Sequence, residues 1–128
     1  MRFYKPFWIA WFPLFLLMLA IFLASTWPIP PLPKYYHSQD KIAHIVMYLI
    51  LSVVMLRAYL ISYGRSRATQ WMLMTIILAT LYGFFIEICQ IYCNRYFELG
   101  DIISNGVGAI LGAMLARFFG HKLIWQFA

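Results

Sequence analysis

Charge is what this chain has least of. Only 11% of its 128 residues are charged and four are acidic, where a soluble domain carries about 25% charged residues. Hydrophobic residues reach 64%, and a domain of this length has too little interior to hide them from water. An ordinary soluble globule is thereby excluded, and lipid must be the solvent for most of the chain. Cysteine is also scarce. Cys89 and Cys93 are too few for a disulfide scaffold or a thiolate-rich metal cluster. Four apart on one helix, they are poorly placed to bridge within the chain, which leaves free thiols or an intermolecular disulfide. No phosphate-cradling glycine loop, G-x-S-x-G elbow or H-E-x-x-H motif occurs, so the familiar nucleotide-binding and hydrolase chemistries have no anchor. Ten Lys and Arg give a net charge of +6, but they are scattered between apolar runs, which argues against a nucleic-acid partner.

What is present is four long apolar runs. Residues 7–24 are 18 positions without a charge, close to the roughly 20 that cross the hydrocarbon. Arg2 and Lys5 before this run and Ala24-Ser25 after it would also suit a signal peptide. Its length, its aromatic content and the membrane character of the rest favour a retained helix. The other runs are 42–61, interrupted by Arg57; 71–91, interrupted by Glu87; and 102–119, interrupted by Arg117. These predict helices over 7–24, 42–61, 71–91 and 102–119, hence an all-α polytopic membrane protein forming one domain over 1–128.

Counting basic residues by side predicts the orientation. Arg2, Lys5, Arg57, Arg65, Arg67, Arg117 and Lys122 fall on one side, and Lys34, Lys41 and Arg95 on the other. The positive-inside tendency then places both the N and C termini in the cytoplasm, with Asp40, Glu87, Glu98 and Asp101 on or toward the outer side. Residues 27–34 include Pro28, Pro30, Pro31 and Pro33 and predict a stiff extended spacer. Residues 62–70 predict a short basic inner loop suited to anionic headgroups.

Ionisable side chains at membrane depth are costly and usually purposeful. Asp40, Lys41, His44 and Tyr48 run down one side of the second helix at turn-like spacing. Asp40 can orient His44, and Lys41 can hold an anion. The plainer reading is a Ser38 or Asp40 cap, a snorkelling Lys41 and a packed His44. Glu87 lies about one turn inside the outer end of the third helix and shares its face with Gln90. A carboxylate there needs a cation, a hydrogen-bond network or a proton, and Arg95 is the local cation; the alternative is an ion pair that knits helices together. Asp101, Asn105, Gly108 and Gly112 fall on one face of the fourth helix. Gly108 and Gly112 have the spacing of a close helix contact, or else make room for a lipid-like ligand, and Asp101 also suits an N-cap.

Convergence of the second, third and fourth helices would gather these groups into one outward-opening polar cluster. Lys41 and Arg95 would clamp an anion, Glu87 or His44 would move a proton, and Asp40 would orient His44. Gln90, Asp101 and Asn105 would position substrate or a cation, with Tyr48 among the ligand-binding groups. Glu87, His44, Asp40 and Asp101 are therefore the catalytic candidates. The carboxylates could gather a divalent cation, but no zinc-ligand spacing is visible and neither metal nor cofactor is specified.

Three stretches carry a resemblance. They are Asp40-Lys41-xx-His44-xxx-Tyr48, then Tyr82-Gly83-xxx-Glu87-xx-Gln90, and then Arg95 with Asp101-xxx-Asn105-xx-Gly108-xxx-Gly112. In order and combined spacing the chain resembles the VanZ-like family, named after a small membrane protein associated with teicoplanin resistance, over about residues 37–115. One departure is Ile91-Tyr92-Cys93-Asn94, where a proline-containing turn is expected in many relatives. The resemblance implies a small helical domain of the bacterial cytoplasmic (inner) membrane and, in some members, reduced glycopeptide susceptibility; it supplies no reaction mechanism. The residues and the resemblance together lead to an expectation. The protein binds, and as an open question modifies or hydrolyses, a phosphate-bearing lipid or lipid-linked cell-envelope intermediate at the outer interface. The rivals are a non-enzymatic lipid-binding or transport protein and a membrane scaffold, with homo-oligomerisation left open.

Overall fold

The computed structural model describes the backbone of residues 7–26, 37–92 and 99–123, and the side chains of residues 8–26, 41–92 and 99–119. The proline-rich segment 27–34, Cys93, Arg95 and Glu98 lie outside the described residues, as does the side chain of Asp40. Four helices are described: α1 (Phe7–Thr26), α2 (His37–Tyr63), α3 (Ala68–Tyr92) and α4 (Leu99–Leu123). Each is long and apolar enough to cross a membrane.

The helices run beyond the apolar windows that announce them. α2 begins at His37 and α4 at Leu99, so Ser38 and Asp40 lie inside the first turn of α2, and Asp101 lies inside the first turn of α4. None of the three is the cap, which corrects the capping role considered for them. Hydropathy marks only the part of a helix that must meet lipid, whereas backbone hydrogen bonding continues through polar residues until another partner ends it. A first-turn carboxylate still complements the positive end of the helix dipole.

α2 stops at Gly64, whose φ of 84° is the left-handed conformation that glycine tolerates best. Its amide donates to the Leu60 carbonyl at 2.9 Å. The carbonyls of Arg65 and Arg67 then accept from Ala68 and Trp71 at 3.1 and 3.0 Å, opening α3. The connection is therefore tighter than the polar stretch 62–70 suggests.

Successive helices alternate in direction, so α2 and α4 run parallel and share the largest interface. Gly108 lies against the Ile45 backbone and Gly112 against that of Leu49, where a Cβ would run into the respective carbonyl oxygens. Between lipid-bathed helices there is little hydrophobic drive to associate, and close packing through small residues takes its place. This pair packs against α2 and does not leave room there for a lipid. Leu14, Ile21, Tyr48, Leu51, Met55, Ala79 and Ala109 form the apolar centre, while Phe12, Leu73, Phe85 and Phe118 point outward. α1 is tied in by the Tyr82 hydroxyl, which donates to the Met18 carbonyl at 2.5 Å. At the end of the bundle holding the α2–α3 turn, Tyr59, Tyr63 and Trp71 stack on one another, and Trp11 meets Tyr59 edge to face. There the Trp11 indole also donates to Ser62 Oγ at 2.7 Å. Amphipathic rings of this kind settle at a membrane interface.

Candidate functional site

The opposite end of the bundle holds the polar side chains. It is built from the first turns of α2 and α4 and the last turns of α3, which the alternating topology brings to one level. His44 and Tyr48 succeed one another by four on α2, with near-parallel rings 6.5 Å apart. Glu87 projects from α3, and Asp101 and Asn105 from α4. Tyr48, Glu87 and Asn105 are 0% exposed, and His44 and Asp101 are 6% exposed.

The geometry orders these groups. His44 Nδ1 and Asn105 Oδ1 are 2.8 Å apart; with the amide oxygen accepting, Nδ1 carries a proton. His44 Nε2 then faces Asp101 Oδ2 at 3.9 Å. A neutral ring presents a lone pair there, and a protonated ring presents an N–H to the carboxylate. One ligand-type atom from each of His44, Glu87 and Asp101 can be chosen so that all lie within 4.8 Å of one another. Tyr48 is within electrostatic reach of Glu87. Among the described residues, the Tyr48 hydroxyl and Asn105 Nδ2 are buried without a hydrogen-bond partner. Burying such groups unsatisfied is costly, so a site that holds several of them has polar capacity to spare.

Two glycines, Gly83 and Gly100, make the cluster possible. A Cβ on Gly83 would fall 2.7 Å from Asn105 Nδ2 and 3.1 Å from Tyr48 Cε1. Gly83 precedes Glu87 by four, so the face that carries the carboxylate also admits the amide and the phenol. A Cβ on Gly100 would fall 2.7 Å from Lys41 Cε, with Nζ at 3.5 Å. Half-buried Lys41 thus lies across the start of α4, one residue from Asp101. The helical spacing of Gly83 from Glu87 was the available signal; for Gly100 there was none.

Other candidates are placed differently. Gln90 is buried, but its Nε2 donates to the Ser25 carbonyl at 3.1 Å and joins the ends of α3 and α1. Its amide nitrogen therefore serves a helix contact. Ser104, also buried, returns its hydroxyl to the Gly100 carbonyl at 2.8 Å. Arg95 and the Asp40 side chain lie outside the described residues. Cys89 is not in a disulfide.

A family model described as VanZ/LLP1 matches residues 7–120. The chain belongs to the VanZ/LLP1 family. No curated protein and no solved structure matches it. The match takes in α1, α2, α3 and most of α4, so the VanZ/LLP1 unit is wider than the stretch 37–115 whose motifs carry the resemblance. In this VanZ/LLP1 protein the additional segment, α1, contributes Leu14 and Ile21 to the core and the Ser25 carbonyl to Gln90. Its apolar composition carries no short motif.

Proposed function

We propose that this VanZ/LLP1 protein binds a phosphate-bearing lipid or a lipid-linked cell-envelope intermediate at the end of the bundle where α2, α3 and α4 converge. The observation that carries the proposal is the buried grouping of His44, Glu87, Asp101 and Asn105 beneath the half-buried Lys41. It joins an anion-binding cation to groups able to exchange protons within one cluster of polar side chains. Lys41 meets the phosphate, with Arg95 as its expected companion. His44, oriented by Asn105, and Glu87 are the proton-handling pair, Asp101 positions the headgroup or its counter-ion, and Asp40 is the expected support of His44.

The same end faces the outer leaflet of the bacterial cytoplasmic membrane in this reading. Its support is the distribution of charge: Arg57, Arg65, Arg67 and Arg117 sit toward the other end, beside the aromatic cluster. A bundle with its basic end inside has both termini in the cytoplasm. Handling a cell-envelope lipid from that face would also connect the protein to glycopeptide susceptibility.

Binding is common to an enzyme and to a transporter, so the first experiment addresses binding. Gently purified protein is examined by native mass spectrometry for co-purifying lipids, beside the folded Lys41→Ala variant. Enrichment of one phosphate-bearing lipid that disappears in the variant supports the proposal. Equal retention of bulk lipids by both proteins favours a scaffold and overturns it. Glu87→Gln then separates turnover from binding: an enzyme using Glu87 loses conversion of the retained lipid while keeping much of its affinity.

A further inference from the structure

We infer that His44, Glu87 and Asp101 form a binding site for one divalent transition-metal ion, with zinc or manganese the best match. This deepens the reading of the same polar cluster but does not require the lipid ligand, and it is tested without one.

Three independent observations support it. The first is the donor set. One imidazole nitrogen and two carboxylates, each at least nine-tenths buried, offer donor atoms within 4.8 Å of one another. Metal–ligand bonds of about 2.0–2.2 Å place neighbouring donors roughly 3–4 Å apart. Closing the site therefore takes shifts of about an ångström at side-chain tips, with no movement of the helices.

The second is the state of His44. Its Nδ1 is committed to Asn105 Oδ1 at 2.8 Å, which turns the Nε2 lone pair toward Asp101 Oδ2, 3.9 Å away. A metal-ligating histidine almost always gives its other ring N–H to an oxygen acceptor, which fixes the tautomer and the ring direction. Asn105 does this here from a position 61 residues away.

The third is charge. Two carboxylates brought this close at membrane depth repel one another and lose hydration. A divalent cation would draw both carboxylates and the imidazole nitrogen onto one centre. Lys41, laid across Gly100, contributes one positive charge from the edge of the site but has no lone pair for a metal while protonated. Imidazole favours zinc, iron, nickel or copper and carboxylates favour manganese, magnesium or calcium. The mixed set therefore points to zinc or manganese over a hard cation alone. Three protein donors also leave open positions, the pattern of metal sites that engage a further ligand. The buried Tyr48 hydroxyl and Asn105 Nδ2 stand beside them as polar groups able to bond such a ligand.

The experiment uses the full-length chain in detergent or nanodiscs, stripped of metal and with any affinity tag removed. Zn2+ or Mn2+ is added alone and followed by equilibrium dialysis with elemental analysis. One ion per chain at micromolar affinity is expected. Glu87→Gln and Asp101→Asn should each weaken it by at least the order of tenfold, the scale on which even supporting residues act at metal sites. Helicity and a monodisperse elution profile identify variants that fold. Should neither variant fold, X-ray absorption on the zinc-loaded wild type decides: a shell of one imidazole with oxygen donors upholds the site, and a shell of two or more imidazoles overturns it by pointing to other histidines. Absence of stoichiometric binding by the folded wild type, or unchanged binding in both folded variants, also overturns it. Metal binding without lipid enrichment would leave this inference standing and sink the lipid proposal, and the reverse result would do the opposite.

Discussion

His44 of α2 and Asn105 of α4 meet side chain to side chain at 2.8 Å, in a buried position. The contact depends on the parallel packing of α2 on α4, which Gly108 and Gly112 permit by lying against the Ile45 and Leu49 backbone. The glycines and the polar pair are successive levels of one interface, so disturbing either disturbs the other.

Asn105→Leu should leave the Nδ1–H of His44 buried without its acceptor. Hydrogen bonds between membrane helices contribute about 0.6–2 kcal/mol, and an unsatisfied buried donor costs about 1–3 kcal/mol. A loss of about 1–3 kcal/mol is expected in reversible unfolding measured in bicelles, together with weaker metal binding. No change in either quantity would show that the contact is incidental.

Gly108→Ala and Gly112→Ala should each force α2 and α4 apart, because the new methyl meets rigid backbone. Overpacking of this kind costs about 1–3 kcal/mol. Gly106→Ala supplies the control: it lies on the same helix with nothing within 4 Å of its Cβ position and should be neutral or stabilising, as alanine is the better helix former. Equal effects at 106 and 108 would refute the close-contact account.

Gln90→Leu should cut the tie from α3 to the Ser25 carbonyl and lower stability by about 0.6–2 kcal/mol. If Gln90 serves only that contact, the lipids retained by the folded variant will match those of the wild type. A selective loss of phosphate-bearing lipid at unchanged stability would assign Gln90 to ligand binding as well.

Orientation can be read by labelling. Ser66→Cys, in a chain where Cys89 and Cys93 are replaced by serine, sits in the α2–α3 turn beside Arg65 and Arg67. An impermeant thiol reagent should modify it in inside-out vesicles and leave it untouched in intact cells. Labelling from outside would reverse the topology and place the His44 cluster at the cytoplasmic face.

Hydropathy by itself determined that this chain has four spans, because crossing the hydrocarbon demands a minimum run of apolar residues whatever surrounds it. Helical periodicity likewise placed His44 above Tyr48, and Asp101 above Asn105, Gly108 and Gly112, since residues three and four apart share a face in any helix. The true helix starts at His37 and Leu99 were not legible, because polar turns outside the lipid leave no hydropathic mark. Nor was the partner of each face. That His44 turns to Asn105 while Gln90 turns to Ser25, and that Lys41 rests on Gly100, are relations between residues far apart in sequence. They depend on which helices lie in contact and how closely, and that was decided only when α2 and α4 packed through their glycines and carried Asp101 to within reach of His44 and Glu87.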